Sequence, residues 1–416
     1  MKLKPSPFAP EHFPALPAVK GVRAATASRG FYARRGVDRD DVFLFFLPEG
    51  TTTAGVFTRS HTASADVDWC REALKAGQGR ARALVVNAGN SNAFTGKAGV
   101  LKNEATLKAM AETLGVPREE CFLAATGVIG EPLPDANYVG QMLPGLSASL
   151  SAPDWEACTR AFMTTDTFPK ASGGTCEIEG VEVSVAGILK GSGMIMPNMA
   201  TMLCYVFTDA AIAPDALDAL LRNCVDRTLN SVTVDGDTST SDSCQLFATG
   251  ASDAPLIERA DDPRLEDFRR LLDDTFRDLA HQLVKDGEGA SKFVEIRVEG
   301  AVSEASARTI GLHIANSPLI KTAIAAGDAN WGRIVMAVGK SLEPISKDEM
   351  RIWFGDHLVA EGGMRASGYD EAAASGHFAG DHISVRVDVA AGRADWTVWT
   401  CDLTHAYVDI NGAYRT

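Results

Sequence analysis

KGSGMIMPNMATML, residues Lys190 to Leu203, decides how the rest of the chain is read. A glycine-serine loop and a proline lead into Ala200-Thr201. Thr201 then opens the apolar, β-prone run TMLCYVF. A hydroxyl residue at the junction of a tight turn and a buried strand suits a nucleophile, and this one lies almost midway along the chain. The stretch is compatible with self-cleavage between Ala200 and Thr201, leaving Thr201 as a new N-terminus. A threonine hydroxyl is a weak nucleophile without an adjacent base. A terminal threonine carries its own, because an α-amino group titrates near ~7.7–8.0. Gly191 and Gly193 can help turn the peptide, and Ala200 is small enough to let the hydroxyl approach. On residue pattern alone, a glycine-rich turn before an ordinary strand is the commoner meaning of such a stretch.

Around this point the chain reads as a mixed α+β protein. VFLFFL (42–47), ARALVVNAG (81–89), CFLAATG (121–127), VEVSVAGIL (181–189) and FVEIRVEG (293–300) read as strands. Helices are expected over 102–115, 154–166, 214–229, 264–287, 304–316 and 331–340, with Asp154 as an N-cap and Gly115 and Gly287 as stops. The first 20 residues read as an extended arm. The tail segments 383–389 and 395–401 alternate and read as antiparallel β. No clean βαβ alternation is evident, which favours α+β layers over a Rossmann sheet.

Composition narrows the function. The net charge is −14, and residues 201–416 carry the excess, with 34 acidic against 20 basic side chains. An acidic chain without a basic cluster argues against nucleic acid as a partner. No window reaches 18 apolar residues, so no membrane span is expected, and the proline-broken N-terminus does not read as a secretion signal. The eight cysteines form no CxxC pair and read as reduced thiols, consistent with a cytoplasmic setting. The histidines are scattered, so no metal site is expected.

Other stretches carry chemistry or merely turn the chain. ATGVIG places Thr126 and Gly127 at a strand end, where a hydroxyl and a backbone N–H can face a developing oxyanion. VNAGNSNAFTG (86–96) is a polar turn or a pocket-lining loop. TVDGDTSTSDS (233–243) fits an EF-hand poorly and reads as a structured polar loop. KDGEGASK fails the P-loop pattern but displays Glu288 between glycines, as a helix cap or as a carboxylate facing a cationic ligand. GDANWGRI (327–334) is a pocket wall or a capped turn.

Taken together these segments resemble the ornithine acetyltransferase family of the arginine pathway, also described as bifunctional glutamate N-acetyltransferase and amino-acid acetyltransferase. The likeness runs in order from SPFAPEHFPALPAVKGVR through NAGNSNAFTG, ATGVIG, MTTDTFPK and KGSGMIMPNMATML to CDLTHAYVDINGAYRT. It implies a layered α/β/β/α-type sandwich, self-processed into residues 1–200 and 201–416 and assembled as an α2β2 heterotetramer. Thr201 is then the acetyl-accepting nucleophile, and Thr126 and Gly127 the oxyanion pair. Thr167, Lys190, Thr201, Glu288, Asn411 and Thr416 match substrate contacts. The implied reaction moves acetyl from N2-acetylornithine to glutamate in ping-pong fashion, without a bound cofactor. Whether acetyl-CoA also serves as donor is left open. An N-terminal-threonine amidase or aminopeptidase is the alternative. The chain ends INGAYRT where INADYTT is more usual, and has NAGNSNA for NSGNANA; both differences bear on the pocket more than on the reaction.

Overall fold

Strands and helices follow one another from residue 23 onward in a computed structural model that describes residues 4–32, 36–196 and 202–412. In chain order they are β1 (Arg23–Ala27), β2 (Val42–Phe46), β3 (Thr52–Phe57), α1 (Ala65–Ala76), β4 (Ala83–Asn90), α2 (Gly96–Leu114) and β5 (Cys121–Val128). Then come α3 (Leu143–Ala148), α4 (Trp155–Phe162), β6 (Lys170–Ile178), β7 (Val181–Lys190), β8 (Leu203–Thr208), α5 (Pro214–Arg227), β9 (Ser243–Ala248) and α6 (Glu266–Lys285). The remainder is β10 (Phe293–Ala301), α7 (Glu304–Ala315), α8 (Pro318–Ala326), α9 (Trp331–Lys340), β11 (Arg351–Phe354), β12 (His357–Glu361) and β13 (Met364–Arg365). It ends with α10 (Glu371–Phe378), β14 (His382–Asp388), β15 (Ala394–Cys401) and α11 (His405–Gly412).

Two sheets stack face to face. One has the order β1-β2-β4-β5, the other β3-β9-β8-β7-β6. Alternation along the strands sends Phe43, Phe45, Val86 and Phe122 from the first sheet toward Ile188, Tyr205, Phe207 and Phe247 of the second. Burying an aromatic or large aliphatic side chain contributes about 1.5–3 kcal/mol, so this shared layer is the main glue between the sheets. The opposite face of the first sheet, with Leu44, Val85 and Leu123, is covered by Leu107 and Met110 of α2 and Leu143 of α3. The outer face of the second, with Val185 and Val206, is covered by α5 and α6. In α6 the buried stripe Phe268, Leu272, Phe276, Leu279, Leu283 recurs at helical spacing. The four layers are helix, sheet, sheet, helix, as the resemblance implies.

Local signals explain several element ends. Asp154 caps α4 by accepting the Ala157 N–H at 2.9 Å, and Gly115 closes α2 in the left-handed region at φ 66°. Helix α2 starts at Gly96, six residues before the expected 102. The pairs β4/β5 and β8/β9 are parallel, each with a helix in the connection, so two βαβ crossovers sit inside the α+β frame where the sequence showed no alternation.

Residues 293–401 build a third sheet, ordered β13-β12-β11-β14-β10-β15. Val294, Ile296 and Val298 of β10 pack with Ile310, Ile314 and Ile334 of α7 and α9. The tail strands are not partners of each other. Strand β10 lies between them, parallel to β14 and antiparallel to β15. Each tail strand does have an antiparallel neighbour, β11 for β14 and β10 for β15; alternation reports the buried face of a strand and not which strand lies beside it. Among the described residues no helix is long and apolar enough to cross a membrane.

Candidate functional site

The carboxyl ends of β5 and β7 face a loop after α4, the turn after α6 and the last helix. Between them lies a cavity of about 310 Å³ lined by Thr126, Gly127, Thr164, Thr165, Lys190 and Glu288, with Asn411 at its edge. Thr126 and Gly127 lie at the end of β5, just before its last residue, Val128. Gly127 has φ 130°, and a Cβ there would fall 2.5 Å from the Gly89 carbonyl carbon. Strand β4 approaches so closely that only glycine fits.

Lys190 ends β7 and is buried. Its Nζ donates to Thr164 Oγ1 at 2.9 Å and to Thr126 Oγ1 at 3.2 Å. Burial pulls its pKa below the ordinary lysine value, against the pull of Asp166, Glu288 and Asp242. By filling a lone pair of Thr126, Lys190 leaves the Thr126 hydroxyl hydrogen free to point into the cavity. Burial likewise raises the Glu288 carboxyl, which Asn411 and Thr165 partly offset. Asn411 Nδ2 donates to Glu288 Oε2 at 2.7 Å. The Glu288 carboxylate lies over Gly193, where a Cβ would meet Oε2 at 2.5 Å. Gly193 is therefore needed for this close approach, which the sequence assigned to a sharp turn.

Thr167 does not line this cavity. Its hydroxyl and N–H both donate to Asp286, and it accepts the Ser6 N–H at 2.8 Å. It lines an adjoining space of about 430 Å³, together with Thr165, Ser192, Glu288 and the arm residues 4–7. Ala200, Thr201 and Thr416 lie outside the described residues. The chain resumes at Met202, and Leu203 pairs with Lys190 across β7 and β8.

A buried ion cluster underlies the floor. Lys170 Nζ reaches Asp166 at 2.7 Å and Asp286 at 2.6 Å, all three fully buried. Asp166 also accepts the Gly191 N–H at 2.6 Å and the Thr164 N–H at 2.9 Å. Burial alone would raise Asp166, but Lys170 and Lys190 outweigh it and hold the carboxyl well below the usual range. Asp286 stays raised by burial. The cluster ties the loops that carry Thr164, Lys190 and Glu288 to one point. The Asp166–Lys170 spacing was visible; its burial and its partner at 286 were not.

The polar loop 233–243 and the asparagine loop also meet beside the site. Asp235 accepts the Met194 and Ile195 N–H groups at 2.6 and 2.9 Å, gripping the glycine loop. Ser64 N–H donates to the Thr240 carbonyl at 2.8 Å. Asn92 is held by the buried Asp66, which Lys102 pairs at 2.8 Å.

The profile of the ArgJ family matches residues 23–416. The chain belongs to the ArgJ family. Among its relatives, arginine biosynthesis bifunctional protein ArgJ of Rhizobium meliloti (strain 1021) is 53% identical over 414 residues, 99% of each chain. The protein of the same name from Brucella suis biovar 1 (strain 1330) is 51% identical over 419 residues, all of both chains. The crystal structure of arginine biosynthesis bifunctional protein ArgJ from Bacillus halodurans is 34% identical, with a TM-score of 0.48 over 50% of this chain and 96% of that one. ArgJ membership agrees with the resemblance carried by the motifs.

Proposed function

We propose that this ArgJ-family enzyme serves arginine biosynthesis by moving acetyl from N2-acetylornithine to glutamate through an acetyl-Thr201 intermediate. The chain first cuts itself between Ala200 and Thr201 into residues 1–200 and 201–416, which remain together and pair as α2β2 in the cytoplasm. The terminal amine of Thr201 takes the hydroxyl proton as Oγ1 attacks the acetyl carbonyl. Thr126 Oγ1 and the Gly127 N–H stabilise the oxyanion. Ornithine leaves, glutamate enters the same cavity, and its amine takes the acetyl group. Acetyl-CoA is a candidate second donor, and no cofactor is bound.

The observation that carries this reading is the cavity, which gathers Thr126, Gly127 and Lys190 from before the cut with Glu288 and Asn411 from after it. Lys190 suits the α-carboxylate that both amino acids share, and Glu288 suits the ornithine side-chain ammonium. Thr167, committed to Asp286, and Thr416 complete the assigned contacts. Intact mass spectrometry before and after N-acetylornithine tests the mechanism. Two pieces, the second gaining an acetyl group, support it; one uncut, unacetylated chain sinks it. Free acetate in place of acetylglutamate would indicate an amidase.

Two substitutions sharpen the assignment. Thr126→Val removes one oxyanion donor and is expected to lower kcat by about 10²–10³, read in steady-state transfer with the cut unaffected. Glu288→Gln is expected to raise KM for N-acetylornithine far more than KM for glutamate. Because the Glu288 carboxyl is raised by burial, its charged form is lost on acidification at a higher pH than for a free glutamate. Wild-type KM for N-acetylornithine should climb as pH falls toward that raised value, and KM in the Gln variant should stay flat.

A further inference from the structure

The cavity at the ends of β5 and β7 is walled by hydroxyl, amide and charged side chains, with two exceptions, Ile129 and Met194. Among the described residues they are the only apolar side chains that line it. Both stand partly in solvent, at 43% and 36% exposure. A lone exposed apolar side chain calls for no explanation; two in the wall of one polar cavity do. Each is mounted on backbone that a polar loop holds fixed. On one side of Ile129, the Val128 carbonyl accepts the Ser91 N–H at 3.0 Å and the Ser91 hydroxyl at 2.8 Å. On the other, the Gly130 N–H donates to the Ala93 carbonyl at 2.9 Å. The asparagine loop thus ties down both neighbours of Ile129 and leaves its side chain to project. Met194 has φ 59°, in the left-handed region where glycine is the ordinary residue. Other residues persist there only when their surroundings hold them. The holder here is Asp235, whose two oxygens take the Met194 and Ile195 N–H groups. A glycine would fit this backbone without strain, which points to a use for the side chain.

We infer that Ile129 and Met194 are specificity-determining residues: their side chains pack on the methylene stem of the amino-acid substrate and set its length. The inference rests on the proposed reading of this cavity, in which Lys190 meets the α-carboxylate and Glu288 the side-chain ammonium. Those two charges fix the ends of an acetylated diamino acid. Between the ends runs an aliphatic chain, which gains from leaving water only where apolar groups receive it. Pockets for such molecules combine apolar walls with a few placed polar groups; Ile129 and Met194 supply the apolar part. Met194 follows Gly193, the glycine that lies under the Glu288 carboxylate. One turn therefore sets both the partner of the ammonium and the wall beside it. With that spacing fixed, a stem too short leaves Glu288 unmet, and one too long must buckle against the wall. A methylene more or fewer in an apolar pocket changes kcat/KM by about 10–200-fold.

Acetyl transfer to glutamate from the N2-acetyl forms of 2,4-diaminobutyrate, ornithine and lysine, which differ by one methylene at each step, tests this. Wild type is expected to favour acetylornithine over each of the others by about 10–200-fold in kcat/KM. Met194→Gly suits the left-handed backbone, and Met194→Leu keeps the bulk. The Gly variant and Ile129→Ala should each lose at least about tenfold of that preference, while the Leu variant keeps most of it. A folding defect, or a role confined to the backbone, lowers all three donors together. An unchanged preference in the Gly and Ile129→Ala variants therefore overturns the inference, as does a wild type that treats the three donors alike. Calorimetric titration with the three free diamino acids reads the same preference without the chemistry. Ornithine-selective binding that fades in both variants supports the inference even if no acetyl moves, an outcome that would sink the transfer reading alone. Equal binding of all three by wild type overturns it.

Discussion

Replacing Thr201 with alanine is expected to leave a single 416-residue polypeptide and to remove acetyl transfer, by a factor on the order of 10⁶, the scale of losing a covalent nucleophile. In the proposed mechanism both losses come from one atom, since the same hydroxyl would open the peptide and later carry the acetyl group. Thr201→Ser restores the hydroxyl and is expected to recover both, more slowly. Electrophoresis and acetylglutamate formation read the two effects separately. An alanine variant that transfers acetyl at a wild-type rate would remove Thr201 from the mechanism.

Lys170→Met should be the most destabilising single change near the site. It strips the only cation bridging Asp166 and Asp286 among the described residues. Breaking a buried pair costs about 3–5 kcal/mol, because the remaining charge stays unpaired. The pH dependence follows from Asp166, whose folded pKa is depressed. Its contribution is present above the unfolded value, ~3.9, and is lost as pH falls through the folded one. The variant lacks that contribution and also buries two unpaired carboxyls. The gap in urea midpoint between the two proteins should therefore be widest near neutral pH and close under acid. A gap that widens on acidification would contradict the cluster's role.

Much of the site was legible because its residues sit at the ends of strongly patterned strands. CFLAATG and VEVSVAGILK declare buried strands, and Thr126, Gly127 and Lys190 fall where those strands stop. Helix α6 was equally plain from its stripe, and Glu288 follows its end. The residues that hold these groups were hidden. Lys170 meets a carboxyl 116 positions away, and Asp242 meets Met202 40 positions away; local pattern carries no trace of either. Thr167 was matched to a substrate contact, while its commitment to Asp286 depends on tertiary placement. In the last third, the placement of β10 between β14 and β15 was invisible because a strand's neighbours are chosen by crossover geometry rather than by alternation.

The sheet order β3-β9-β8-β7-β6 interleaves strands from the two sides of residue 200. On the ribosome, β3 and β7 emerge first and present bare edges, since β9 and β8 have yet to be made. At about 5–20 residues per second, the β7 edge waits only about 1–4 seconds for β8, whereas the β3 edge waits roughly ten seconds or more for β9, a period of exposure to wrong partners. The proposed cut between Ala200 and Thr201 would part β7 from β8, which are hydrogen-bonded neighbours, so the shared sheet would keep the two pieces clasped without any covalent link.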